Sequence, residues 1–255
     1  MAQRRTGTSY TNLMNPQFTG FPKVGLDFLC KLKRNNNREW FLAHKEVFDL
    51  QVKAPMITLV DAYNAQLAKL APLHINPSNK ALYRIYRDTR FSKDKTPYKT
   101  HIAAVFPHQG MAKHSSAGFF FSIGADAIEF AAGIYMPEPD QLVALRSHIA
   151  ENYKQLKRII DNKTLIGLMG EMKGEQLTRP PKGFAADHPA IELLRCKRWV
   201  FYDSQLMDLS IASTPELLVA LLARTKALVP FIDFLNQPLI PMHRRKETMR
   251  ELLEF

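Results

Sequence analysis

The sequence predicts an α+β domain, built as one unit around a mostly antiparallel sheet with helices packed before and after it. Three observations carry this expectation. Apolar residues recur at helical spacing up to about residue 70 and again after residue 137, whereas between residues 82 and 135 the period falls toward two. The candidate strands follow one another without an intervening helical pattern, which argues against the alternation of a parallel α/β fold. Neither an internal repeat nor a low-complexity tract divides the 255 residues.

Residues 1–17 are polar and lack periodicity, as expected of a flexible N-terminal arm. The domain is expected to span residues 18–240, beginning near Phe18. Val24, Phe28, Leu29 and Leu32 give a short helix that ends in Lys33-Arg34-Asn35-Asn36-Asn37. Asn37 suits an N-cap, because its amide oxygen can accept from free backbone donors ahead of the stripe Trp40, Phe41, His44, Val47 and Phe48. Pro55 lacks an N–H and should kink or restart that helix before Met56, Leu59, Val60, Tyr63 and Leu67. Pro72 and Pro77 mark a turn.

Leu82 to Asp88 reads as a strand, with Tyr83 and Ile85 on one side and Arg84, Tyr86 and Asp88 on the other, and Ser92 to Pro97 reads as the turn after it. In this pattern Tyr83 and Phe91 fall among the core residues. His101 to Phe106 is a further strand. Gly118 to Ile123 and Ala127 to Tyr135 form a hairpin around Gly124-Ala125-Asp126. Pro137 to Asp140 opens a helix carrying Leu142, Leu145 and Ile149, and Tyr153 to Ile160 continues helically. A long connection rich in Gly, Pro and Lys fills Gly170 to His188, and connections of this length are often functional. Ile191 to Leu194 is a helical turn and Trp199 to Tyr202 a strand. Thr214-Pro215-Glu216 starts a helix with a capping hydroxyl, a proline at the first position and an acid near the positive end of the dipole. Its apolar face holds Leu217, Leu218, Leu221, Leu222, Leu228 and Phe231, with Pro230 near its end. Residues 241–255 form a basic tail or terminal helix.

Composition narrows the function. A 46% hydrophobic and 23% charged chain is ordinary for a globular domain. Cys30 and Cys196 belong to no C-x-x-C pair, so neither a disulfide framework nor a zinc site is suggested, and a reducing cytoplasm is the expected compartment. No stretch approaches the roughly 20 apolar residues of a membrane span. The net charge is +11 and the pI about 9.6, compatible with phosphate, nucleic acid or acidic surfaces as partners. The charge is not spread evenly. Between Lys80 and Lys99, seven basic residues face only Asp88 and Asp94, a local excess of +5.

That excess lies in one stretch, Arg84-Ile-Tyr-Arg-Asp-Thr-Arg-Phe-Ser-Lys-Asp-Lys-Thr-Pro-Tyr-Lys-Thr-His101. Two like charges 6 Å apart repel by roughly 0.7 kcal/mol in water and about 3 kcal/mol at an effective dielectric of 20. Crowded cations therefore demand anions. Arginine forks suit bidentate contact with phosphate or carboxylate, and a tyrosine adds a neutral donor. The candidate anion-binding residues are Arg84, Arg87, Asp88, Arg90, Asp94, Lys95, Tyr98 and Lys99. Arg179 and Lys182 sit on a loop able to close over such a site. Three readings remain open: a pocket for a small molecule bearing phosphate or carboxylate, a nucleic-acid-binding module helped by the interleaved aromatics, and an Arg–Asp network that only ties the fold together. Glu39 and Glu129 could supply further acids if the fold brings them near.

No metal site is suggested, because the spacings between His101, His108 and His114 match no common ligand pattern. No G-x-S-x-G, P-loop or dinucleotide fingerprint occurs, and nothing calls for a cofactor or specifies a reaction.

The segment matches the pattern R-x-x-R-D-x-R-F-x-x-D-K-x-x-Y through Arg84, Arg87, Asp88, Arg90, Phe91, Asp94, Lys95 and Tyr98. In this, and in Asn36 to Phe41, Gly133 to Pro139, Arg179 to Phe184 and Asp187-His188-Pro189, the chain resembles an uncharacterised, mostly bacterial family catalogued as a domain of unknown function. Ala131-Ala132 stands before Gly133 where a more glycine-rich turn would be expected. The resemblance covers about residues 18–240; it implies one family domain, and no activity, cofactor or catalytic residue.

Overall fold

Four strands, β1 (His101–Phe106), β2 (Gly118–Gly124), β3 (Ile128–Ile134) and β4 (Trp199–Asp203), form one antiparallel sheet in the order β1-β2-β3-β4. The computed structural model describes residues 17–111, 115–172, 174–203 and 207–253, and its architecture is the α+β domain that the periodicity predicts. The expected arm at 1–17 lies outside the described residues apart from Gln17, and His114 lies outside them too.

The helices before the sheet are α1 (Lys23–Arg34), α2 (Arg38–Ala43), α3 (Lys45–Phe48), α4 (Ala54–Leu70) and α5 (Ser78–Ala81). Asn37 caps α2 as expected, its side chain accepting from the Trp40 amide at 2.9 Å. A wide π-type turn over Asp49–Lys53 leads into α4, directly before Pro55, whose missing N–H cannot continue the ordinary ladder. After β3 come α6 (Pro139–Glu151), α7 (Tyr153–Ile160), α8 (Lys163–Met169) and α9 (Ile191–Leu194). Beyond β4 lie α10 (Glu216–Asn236) and α11 (Leu239–Leu253).

Alternation along the strands sorts side chains into two faces. One face carries Phe106, Phe119, Phe121, Phe130, Trp199 and Phe201, all fully buried. These pack on α4 and α10, whose Tyr63, Leu228, Phe231 and Leu235 complete the core. Two polar links cross it. The Tyr63 hydroxyl donates to Thr225 Oγ1 at 2.5 Å, and Arg224 on α10 grips Asp203 of β4 at 3.0 Å through Nε and Nη2.

Several expectations need correction. Leu82 to Asp88 is extended but is not a strand. It pairs with the β1 side of the sheet only at the Leu82–Ala104 and Tyr86–Tyr98 bridges, because Pro97 opposite it has no N–H to donate. Phe91 is not core; it is 95% exposed, since residues 89–95 form a loop in which strand alternation does not apply. Val24 is 57% exposed, and α1 buries Phe28, Leu29 and Leu32 instead. Pro230 does not end α10, which runs on to Asn236 because buried Phe231, Ile232, Phe234 and Leu235 hold that half of the helix against the core. The Thr214 hydroxyl donates back to the Ile211 carbonyl at 3.1 Å, so the α10 amides take no side-chain cap from it. Gly133 lies within β3 at φ +140° rather than in a turn, and a Cβ there would sit 2.0 Å from the Trp199 carbonyl oxygen. Among the described residues, no helix is long and apolar enough to cross a membrane.

The Arg224–Asp203 pair is buried on both sides, so losing one partner strands the other charge. Asp203→Ala is expected to lower unfolding free energy by about 3–5 kcal/mol in urea titrations, and adding Arg224→Met should recover most of that loss.

Candidate functional site

The opposite face of the sheet is not covered by helices, and its side chains are small in the middle and large at the sides. Strand register places Val105, Phe120, Ala131 and Tyr202 in one row across all four strands, with Gly118, Gly133 and Val200 in the next usable row. Small residues at the centre leave a trough of about 870 Å3, within the range of small-molecule sites. Tyr83 walls one side, while Tyr135, Met136 and Arg198 wall the other. Arg198 lies over the Tyr135 ring at 4.7 Å and reaches Glu175 at 3.6 Å, so one rim of the trough ends in a charged pair.

The basic segment forms the other rim. The Asn36 side chain anchors it, donating to the Tyr98 carbonyl at 2.8 Å and accepting from the Tyr98 amide at 3.0 Å. The Tyr98 ring is then stacked on Phe41 at 4.0 Å and left 3% exposed. Of the candidate residues it is the one placed in the core rather than on a surface, which does not suit the donor role expected of it. Tyr83 donates its amide to Ala103 at 2.9 Å, which puts its side chain on the trough face beside Phe120.

The remaining candidates divide into two groups. Arg87 binds Asp94 and the Thr96 hydroxyl, while Arg90 forks onto Asp88 at 3.0 and 2.8 Å. Lys95 donates to the Thr89 carbonyl at 2.9 Å, and Asp94 accepts from the Thr96 amide at 2.9 Å. These contacts fix the tip of a hairpin-like arm. They also hold the Asp88 and Asp94 carboxyls well below the usual range, at about 2, chiefly through the hydrogen bonds from Arg90 and Arg87 respectively. Arg84, Arg87 and Arg90 therefore do not converge on one position.

Arg84 and Lys99 are different. Among the described residues neither has a carboxylate within ion-pair distance. Lys99 holds its ammonium 5.0 Å from the centre of the Tyr83 ring, at the trough rim. Burial first, and then the neighbouring Arg84 charge, push its pKa below the ordinary lysine value.

At the end of the trough near this rim, Glu129 accepts from the hydroxyls of Ser122 and Tyr202, each at 2.6 Å. His101 lies one row further along β1. Its pKa is lowered, mainly by burial, with Glu129 acting against that shift. Arg179 and Lys182 are exposed and do not line the trough; the same connection contributes Gly174 and Glu175 instead. Glu39 is exposed and makes no ion pair among the described residues, and no group of three or more candidate metal ligands occurs among them. Sequence reasoning missed Ser122, Tyr135, Arg198 and Tyr202. The signal for the trough was present as Gly118, Ala131 and Gly133 recurring on one strand face among aromatics.

Removing the Arg87 guanidinium tests the tip network. An amide NMR titration of the Thr96 and Arg90 signals should show both aspartates ionised down to about pH 2, with loop order lost as pH falls through that value. In Arg87→Ala the Asp94 transition should rise toward about 4 while that of Asp88 stays low. An unmoved Asp94 transition would contradict the pairing.

No curated protein and no solved structure matches the chain. A family model described as "Conserved hypothetical protein (DUF2461)" matches residues 25–234, most of the chain and all of the sheet, trough and basic arm. The chain belongs to that family.

Proposed function

We propose that the trough binds an amphipathic small molecule, its apolar body against Phe120, Val105, Ala131 and Tyr202 and its phosphate or carboxylate against Lys99 and Arg84. The observation that carries this reading is the Lys99 ammonium, drawn out of water at a pocket rim beside a second cation, with no acid to meet it. An unpaired, partly buried charge is costly, and an anionic ligand group would remove that cost. The other cations of the motif are engaged within the arm, which narrows the expected anion site from eight residues to two. We place this binding in the cytoplasm; Cys30 and Cys196 are both free thiols, as a reducing compartment leaves them.

The fluorescent probe 1-anilinonaphthalene-8-sulfonate has the required aromatic body and anion. Native protein should bind it at one site. Lys99→Met should weaken that binding by about tenfold, and Ala131→Trp, which fills the trough floor, should abolish it. Arg179→Ala and Lys182→Ala should leave it unchanged. Native protein that does not bind the probe, or binding indifferent to both Lys99→Met and Ala131→Trp, would overturn the reading.

Phe91 favours a second reading for the arm itself. Its ring stands 95% exposed beside Arg90, at 5.7 Å, with Lys93 and Lys95 nearby in the chain. A bare aromatic among cations suits a single-stranded nucleic acid, with a base stacked on the ring and phosphates on the basic groups. Oligothymidylate affinity measured by fluorescence anisotropy should then fall with salt, by a slope of roughly 0.7 per phosphate contact, and should drop in Phe91→Ala. Absence of binding at low salt would remove this reading.

A further inference from the structure

Opposite charges stand on the two banks of the trough and do not reach each other. Tyr83, with Lys99 above it, shares a cross-strand row with Ala103, Ser122 and Glu129. That row crosses three strand spacings, on the order of 14 Å between the outer backbones. Burial and Arg84 govern Lys99, and Glu129 does not figure among the charges acting on it. Glu129 is half-buried, and among the described residues it has no cation within ion-pair distance. Its carboxylate receives only the Ser122 and Tyr202 hydroxyls, one at each oxygen. An ionised carboxylate has about four acceptor sites. Roughly half of its accepting capacity is thus left open.

Both charges would be relieved if the side chains met, and the fold keeps them apart with alanine and serine between. Resting on the anion-binding reading above, we propose that Glu129, oriented by Ser122 and Tyr202, is a second pole of the same site. It takes a protonated amine or comparable donor at the far end of a ligand whose anionic end lies against Lys99 and Arg84. The ligand class is then a rigid or aromatic molecule with a carboxylate or phosphate at one end and an ammonium group at the other, several carbons apart. An α-amino acid head alone is too short to reach both banks. Ala103 at the centre of the row gives the ligand body room, and the adjoining Phe120 and Tyr202 supply flat apolar walls.

Three near-isosteric probes separate the poles: 4-(aminomethyl)phenylacetate with both charges, 4-ethylphenylacetate with the anion alone, and 4-ethylbenzylamine with the cation alone. Affinities for the full chain are read from amide NMR titrations. The doubly charged probe should bind about tenfold more tightly than 4-ethylphenylacetate, equivalent to about 1.4 kcal/mol. That advantage should fall to about twofold or less in Glu129→Gln, whose unchanged affinity for 4-ethylphenylacetate would report an intact trough. Should Glu129→Gln fail to fold, Tyr202→Phe, which removes one orienting hydroxyl, should reduce the advantage in the same direction. Equal binding of the two carboxylates by the native chain, or an advantage that persists in the folded Glu129 variant, overturns the second pole and leaves the anion site standing. A chain that binds none of the three, or binds both carboxylates equally well after Lys99→Met, overturns the anion site as well.

Discussion

Because successive side chains on a strand point to opposite faces, burying Phe119, Phe121, Phe130 and Phe201 against α4 and α10 forces Phe120, Ala131, Gly133 and Tyr202 to the other side. A slip of one residue in any pairing would exchange the two sets. The dense aromatic core therefore sets the contents of the trough as strictly as it sets the stability of the sheet. Gly133 shows how tightly the two are joined. Its backbone lies so close to Trp199 that any side chain would displace β4, and the missing side chain deepens the trough floor.

Electrostatics divides the basic segment in a way its composition does not announce. Arg87 and Arg90 spend their forks on Asp94 and Asp88, where an exposed pair contributes little to global stability but fixes the shape of a ten-residue loop. The consequence is an arm rigid enough to hold the Phe91 ring in water. Lys99 and Arg84 sit where the arm meets the sheet, partly withdrawn from solvent and without an acid. The family motif thus combines a structural clamp with the rim of a pocket, and the two roles fall on different residues of one run.

Tyr98 and Asn36 join these parts. Asn36 imitates a strand neighbour for the Tyr98 backbone, while the Tyr98 ring stacks on Phe41 of α2. The N-terminal helices are in this way pinned to the basic arm, and the arm to β1. Stacked aromatic pairs of this kind add about 0.5–1.5 kcal/mol beyond their burial, enough to hold the rim in register with the trough.

Local chemistry was legible in the sequence wherever periodicity and capping act over a few residues. Asn37 as a cap, the hairpin around Gly124-Ala125-Asp126, the strand at Trp199 and the α+β order all follow from such short-range rules. The cation excess at residues 80–99 was equally plain. What composition could not decide was which cations meet an acid, since Asp88 and Asp94 could have neutralised any of the five within reach. Nor could it place Phe91, whose exposure depends on a loop closed by side chains rather than on strand alternation. Only the folded chain settled these points, because a salt bridge, a pocket wall and a charge left without a partner depend on distances between residues far apart in sequence. Glu129 and Lys99 face one another across a trough for that reason alone: neither residue carries any local mark of the other, and the register of three strand pairings sets the gap between them.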